Sequence, residues 1–202
     1  MESYLSDFNK MVLVVESLKE CKQTLVDEEG IGEDLTFNLF GWRGSQMTVV
    51  AQLNSALMED KKSRIKRLLA AATVFRTGFA CDALSFGTEG FCVVGDGKSV
   101  EGVPLKEQFA TNKDVRECIT VLQVGKEVDM TAVPYRYDVG RKVIFGNPAR
   151  NPEPKKFGIV TESFMEIVTM PVESTNIGKP YFVEMLVAGL ESFGFQVTVI
   201  GE

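Results

Sequence analysis

The stretch ECITVLQVGKEVDMTAVPYRY, residues 117–137, decides the fold. β-branched residues are frequent in the first half, apolar and polar side chains alternate at 128–132 in the second, and Gly125 and Lys126 separate the halves. Alternation with a period of two is typical of half-buried strands, and a short glycine-containing connection joins antiparallel neighbours. The stretch therefore predicts a β-hairpin with strands at 117–124 and 128–137.

The chain after this hairpin predicts one more strand and a closing helix–strand pair. Residues 142–145 read as a strand that follows a turn at 138–141, and residues 146–156 hold three prolines, which favours a loop. Residues 157–169 fit a strand or a helix equally well. A helix is predicted from about Pro180 to Phe193, and a final strand at 195–200.

Upstream, apolar spacing of three and four predicts two helices, at about 4–27 and 60–78. Ser3 is expected to cap the first helix, and Gly30 and Gly32 to end it. Strands are predicted at 35–39 and 47–53 across the turn GWRGSQ at 41–46, and at 83–86 and 91–94 around Gly87–Gly90. The first helix is expected to bury one apolar stripe: Phe8, Met11, Val12, Val15, Leu18, Cys21 and Leu25.

These elements predict the order α-ββ-α-ββ-βββ-α-β. Such an order favours an α+β fold, with a mainly antiparallel sheet and helices packed on a face. A chain of 202 residues suits a single domain spanning residues 1–202. Residues 1–32, the N-terminal helix, are expected to serve as an oligomerisation arm or as a packing arm.

The chain contains no histidine, which excludes many kinds of site. Ser-His-Asp and Cys-His arrangements are impossible, as are the histidine-based zinc signatures. The four cysteines, Cys21, Cys81, Cys92 and Cys118, form no C-x-x-C pair. No metal site and no cofactor are therefore expected, and no catalytic residue is assigned. Chemistry based on aspartate and glutamate, including Mg²⁺ binding, stays open.

The formal net charge of −6 disfavours non-specific binding to nucleic acid, whose backbone is also negative. No signal peptide or membrane-spanning run is recognised, so a cytoplasmic location with free thiols is expected. Charge is uneven, because residues 61–80 carry six basic residues and no acid.

Two partial motifs are more simply explained by chance. Gly97-Lys98-Ser99 resembles the end of a phosphate loop, but Cys92 occupies the position of its first glycine. Ser63-Arg64-Ile65-Lys66 has the S-x-x-K spacing of a serine nucleophile, but its companion motifs are missing. The first is interpreted as a polar loop and the second as part of a basic helix.

Four groups of residues are candidates for binding. Glu89 lies between glycines and could contact a ligand or act as a base, or it could be a solvent-facing turn residue. Trp42 and Arg43 could stack on or grip a ligand, or Trp42 could fold back on the core. The third group could stack on a planar ligand or form a half-exposed sheet face: Tyr135, Arg136, Tyr137 and Arg141. The fourth group could bind an anion or form a solvated helix face: Lys61, Lys62, Arg64 and Arg67.

The stretch DALSFGTEGFCVV at 82–94, followed by NKDVRECITVL at 112–122, resembles a set of uncharacterised phage and bacterial proteins. The resemblance covers about residues 61–145, and it departs at Phe91, where the pattern has tryptophan. It implies a phage or mobile-element accessory protein and carries no activity with it.

Three functions are compatible with these features. The favoured hypothesis is a non-catalytic binding protein, a phage-type accessory or anti-defence factor that captures a host protein or a small nucleotide. The alternatives are a structural or assembly protein that forms homo-oligomers, and a carboxylate-dependent enzyme, with or without Mg²⁺, that acts on a phosphorylated substrate.

Overall fold

The computed structural model describes residues 5–31, 33–53, 61–93, 115–151, 159–172 and 176–200. Four helices lie in this part of the chain: α1 (Asp7–Glu28), α2 (Lys61–Thr77), α3 (Ile159–Thr169) and α4 (Pro180–Ser192). The strands are β1 (Asn38–Arg43), β2 (Gln46–Leu53), β3 (Ala83–Val93), β4 (Val115–Val124), β5 (Val128–Tyr137), β6 (Val143–Phe145), β7 (Ala149–Asn151) and β8 (Phe195–Val199).

The eight strands form one sheet in the order β6-β5-β4-β3-β1-β2-β8. Strand β7 pairs with β5 on the same edge as β6 but further along, at Met130–Ala132. Every strand pair among the described residues is antiparallel. The α+β fold with a mainly antiparallel sheet is therefore confirmed.

Helices cover both faces of the sheet, whereas the sequence predicted packing on a face. Helix α1 packs on one face, over β4, β3 and β5, and contributes Met11, Val14 and Leu18 to the core there. Helices α2, α3 and α4 contribute to a second core on the opposite face, through residues such as Phe75, Phe164 and Leu190. The alternating side chains of the central strands point into these two cores in turn.

The buried stripe of α1 differs from the predicted one. Phe8 and Val12 are 41% and 40% exposed, while Lys10 and Lys22 are fully buried. The stripe is therefore rotated around the helix, because two lysines occupy inward positions that an apolar pattern does not reveal. Its N-cap is Ser6, whose hydroxyl accepts a hydrogen bond from Asn9 N, and not Ser3.

Glu89 and its flanking glycines do not form a turn. Residues 83–93 form one continuous strand, β3, and each of its residues from Leu84 to Val93 pairs with a residue of β4. A Cβ atom added to Gly87 would lie 2.3 Å from Leu18 Cδ1 of α1. Gly87 is thus explained by the close approach of the helix to the sheet and not by chain reversal.

Other helix and strand boundaries also differ from the predicted ones. The reversal between β1 and β2 involves only Gly44 and Ser45, so Gly41–Arg43 belong to β1. The predicted loop at 146–156 contains β7, and the ambiguous residues 157–169 form α3 from Ile159. The predicted Gly97-Lys98-Ser99 loop lies outside the described residues.

Candidate functional site

Glu89 stands at the centre of a polar cluster between α1 and the sheet, with its own side chain buried. Its side chain is 8% exposed, and its Oε1 atom lies 2.7 Å from Lys22 Nζ. Oε1 also accepts a hydrogen bond from the Tyr135 hydroxyl, and Oε2 accepts one from Leu35 N at 2.5 Å. We call Lys22, Asp34, Glu89, Glu117, Tyr135 and Tyr137 the Glu89 cluster.

Lys22 neutralises this carboxylate from the middle of α1. Its Nζ also donates to Glu33 O at 2.5 Å and lies 5.3 Å from the centre of the Tyr135 ring. Burial by itself lowers the pKa of the Lys22 ammonium, but the hydrogen bond and negative charge of Glu89 outweigh burial, so its pKa is raised. Lys22 therefore stays charged at neutral pH, and the ion pair joins α1 to β3.

The remaining acids of the cluster have raised pKa values. Asp34 is exposed as a residue, but partial burial of its carboxyl group, followed by the negative charge of Glu89, raises its pKa. Burial also raises the pKa of Glu117, and the charges of Glu89 and Asp34 add to this effect. Burial and the bonded Glu89 carboxylate likewise raise the pKa of Tyr135. One lysine thus faces three carboxyl groups, which makes full ionisation of the cluster unfavourable.

This arrangement suits a structural role for Glu89 better than a role as a general base. A general base needs a lone pair that can reach a substrate proton. Both oxygens of Glu89 already accept hydrogen bonds, from groups on α1, β5 and the segment before β1. The solvent-facing turn expected for Glu89 is therefore wrong, and its carboxylate instead ties three parts of the fold together.

Replacing Asp34 with asparagine is expected to raise the free energy of unfolding at pH 7. Because the folded-state pKa of Asp34 is raised, the folded protein favours the neutral carboxyl group, and its ionisation at neutral pH destabilises the fold. The gain should shrink on acidification and vanish below about pH 3.9, where the group is protonated in both states. Urea unfolding of the wild type and the variant at several pH values measures this difference.

The neighbouring Glu33, which is exposed like Asp34, supplies a matched control, because Glu33→Gln changes the same charge on the same segment. Its effect should stay within about 0.5 kcal/mol. A loss of stability at pH 7 on changing Asp34 to asparagine would contradict the electrostatic account of the cluster.

Trp42 is not available to a ligand. Its side chain is 1% exposed, and its Nε1 donates to Ser85 Oγ at 2.7 Å. The Ser85 hydroxyl in turn donates to Gln123 Oε1. The predicted ligand-stacking role of Trp42 is therefore wrong, and its alternative, an indole folded back on the core, is correct. Arg43, the next residue, is exposed at the end of β1.

Tyr135 and Tyr137 share one sheet face, as the strand period requires, but α1 covers that face. Tyr135 is 4% exposed, and the two rings meet edge to face with centroids 5.7 Å apart. Stacking of a planar ligand on Tyr135 is therefore blocked by the helix. Arg141 is exposed in the β5–β6 turn, where its φ of 64° is left-handed.

Arg136 points to the opposite face and lines a pocket of about 290 Å³ between β4, β5 and β6. Its floor is apolar, with Pro134, Ile144 and Phe145, and a second guanidinium comes from Arg116. Arg136 is exposed and makes no ion pair with any described residue. We call this site the arginine pocket. Its lining residues are Arg116, Pro134, Tyr135, Arg136, Ile144, Phe145 and Gly146.

The arginines of α2 contact two other parts of the chain. Arg67 donates through Nη1 to Phe193 O, and the Arg64 guanidinium lies 5.5 Å from the centre of the Phe37 ring. Lys62 is exposed, and Lys61 begins the helix with its side chain outside the described part. The arginines therefore join α2 to neighbouring segments.

Sequence reasoning missed Lys22 and Arg116. Nothing in the local pattern marks Lys22 as buried, because its partner Glu89 is distant in the chain. Arg116 could have been predicted to lie near Arg136, because the predicted hairpin aligns the start of β4 with the end of β5, where Arg136 lies.

Comparisons of this chain with known protein families, with curated proteins and with solved structures found no match. Within the described ranges, no group of three or more cysteine, aspartate or glutamate side chains could hold a metal ion. No helix in the same ranges has the length and apolar character needed to cross a membrane.

Proposed function

We propose that this protein is a non-catalytic binding protein that captures a small planar anion of the nucleotide class in the arginine pocket. The observation that carries the proposal is the pairing of an apolar floor with two guanidinium groups, from Arg116 and Arg136. Ligand pockets typically combine apolar walls with a few polar groups that fix orientation. Arginine is the side chain best suited to phosphate oxygens, which it can contact through two N–H groups.

The pocket volume agrees with this ligand class. About 290 Å³ lies just below the range for small-molecule sites, which begins near 300 Å³. Such a space suits one base or one sugar phosphate. The apolar side chain of Ile144, which lies directly opposite Arg136, offers contact to a flat ring, while the arginines attract its phosphate.

A panel of mononucleotides and dinucleotides tests the proposal by thermal unfolding. A ligand at a hundredfold excess over its Kd stabilises the folded state by about 2.7 kcal/mol. We expect Arg136→Ala to abolish most of this shift, because it removes one guanidinium from the pocket. Arg141→Ala is the matched control, since it removes the same charge from the nearby turn and should leave the shift unchanged.

The same samples separate binding from catalysis. A ligand recovered unchanged after long incubation supports the binding protein, whereas conversion of the ligand would support the carboxylate-dependent enzyme instead. The phage-type accessory or anti-defence role, and capture of a host protein, stay predictions.

Self-association is a second candidate function, and the outer face of α4 favours it. Tyr181 and Met185 are 58% and 59% exposed, and Phe193, just after the helix, is 52% exposed. Such clusters of large apolar side chains often mark interaction surfaces. Light scattering at micromolar concentration should give the mass of a homo-oligomer, and a monomer mass would remove this candidate.

A further inference from the structure

A pair of cysteines lies on adjacent strands beside the arginine pocket. Cys92 of β3 stands directly opposite Arg116 of β4, and Cys118 stands directly opposite Pro134 of β5. Cys92 and Cys118 are therefore diagonal neighbours on the same sheet face. Both cysteines are free, with Cys92 half-buried and Cys118 buried.

The two thiols have unequal environments. A hydrogen bond from Cys118 lowers the pKa of the Cys92 thiol to about 7, and the positive charge of Arg116 acts in the same direction. The hydrogen bond with Cys92 and burial raise the pKa of Cys118, whose sulfur also lies 3.5 Å from Thr120 Oγ1. Cys92 is thus the more acidic thiol of the pair, and Cys118 the one that keeps its proton at neutral pH.

We propose that Cys92 and Cys118 form a peroxide-reactive thiol pair, in which Cys92 is the nucleophile and Cys118 the resolving thiol. The Cys92 thiolate attacks one oxygen of a hydroperoxide, the O–O bond breaks, and Cys92 becomes a sulfenic acid. The leaving oxygen takes a proton and departs as water or an alcohol. The Cys118 sulfur then attacks the Cys92 sulfur, its proton passes to the departing hydroxide, and a disulfide and water form.

The geometry also predicts that this disulfide is easily reduced. Diagonal neighbours in an antiparallel pair have Cα atoms about 7–8 Å apart, whereas disulfides span about 4.4–6.8 Å. The end of β3 must therefore shift toward β4 when the bond forms. A bond that holds the strands in this shifted position is more reducible than a relaxed one.

The other two cysteines provide internal controls. Burial and the nearby Glu20 raise the pKa of Cys21, which is half-buried. Burial raises the pKa of Cys81 to about 12. Neither thiol should compete with Cys92 at neutral pH, because the thiolate is the reactive form.

The test treats the reduced full-length protein with hydrogen peroxide and maps each cysteine by alkylation and mass spectrometry. We expect a Cys92–Cys118 disulfide that dithiothreitol removes, with Cys21 and Cys81 still reduced. In Cys118→Ala, a dimedone adduct should appear on Cys92, and in Cys92→Ser no disulfide should form. Cys21→Ser should behave as the wild type.

A second test uses the unsubstituted protein, so it does not depend on the folding of any variant. In the native protein at pH 7, iodoacetamide should label Cys92 roughly fivefold or more faster than Cys21, given the larger thiolate fraction of Cys92. Equal labelling rates, or peroxide oxidation that leaves Cys92 reduced, would overturn the proposal. Either result would leave the nucleotide proposal intact, because that one is tested through Arg136.

Discussion

Replacing Glu89 with alanine is expected to lower the free energy of unfolding by about 3–5 kcal/mol, because removal of one partner from a buried ion pair leaves the other charge uncompensated. Here the remaining charge is Lys22, whose side chain is 1% exposed. The substitution also removes the acceptor of Leu35 N and of the Tyr135 hydroxyl. Chemical denaturation with urea measures the loss directly.

A double variant separates the ion pair from simple packing. Lys22→Met combined with Glu89→Leu replaces both charges with apolar groups, and exchanges of this kind are often neutral or stabilising. We therefore expect the double variant to be more stable than Glu89→Ala. Glu117→Gln is the control for loss of an acid in the same cluster, and it should be tolerated, because burial already disfavours its charge. A loss below about 1 kcal/mol for Glu89→Ala would show that the cluster does not hold the fold together.

Replacing Trp42 with alanine should lower the free energy of unfolding by about 3–5 kcal/mol, the usual cost of removing a large aromatic side chain from a core. The indole ring is 1% exposed and packs in the core beneath α1. Trp42→Phe keeps most of the packing but removes the donor to Ser85 Oγ, so it should cost about 1–2 kcal/mol.

Arg43→Ala is the matched control for Trp42, since the two residues are adjacent and Arg43 is exposed. It should change stability by no more than about 0.5 kcal/mol. If Trp42→Ala were tolerated while ligand binding was lost, the indole would belong to a binding site and its assignment to the core would be wrong.

The β4–β5 hairpin could be predicted from sequence because its information is local. The β-branched residues of 117–124, the alternation at 128–132 and the glycine between the two stretches favour strand, turn and strand. The observed pairing, from Val124 with Val128 to Cys118 with Pro134, follows that pattern. The same local information placed Tyr135 and Tyr137 on one face and Arg136 on the other.

Glu89 could not be assigned correctly because its surroundings come from distant parts of the chain. Gly87 and Gly90 suggested a turn, whereas Gly87 accommodates Leu18 of α1. The partner of Glu89, Lys22, resembles a surface residue in any helical pattern, and only the assembled fold reveals its burial. The buried face predicted for α1 was wrong for the same reason.

The arginine pocket was predicted in part. Arg136 was a candidate because it lies in an aromatic and basic segment, but the expected stacking surface was the tyrosine face. Strand alternation separates Arg136 from that face, and α1 covers the tyrosines. The pocket instead uses Ile144 of β6, which sequence alone did not relate to Arg136.

Isothermal titration of the best nucleotide from the panel into the wild type and into Arg136→Ala tests the binding function most directly. Loss of a charge-assisted hydrogen bond costs about 1.5–3 kcal/mol, so the variant should bind at least about tenfold more weakly. The wild type should bind one ligand per chain and return it unchanged, and Arg141→Ala should match it. Equal affinity in the wild type and Arg136→Ala, or no measurable binding by the wild type, would contradict the assignment of this pocket.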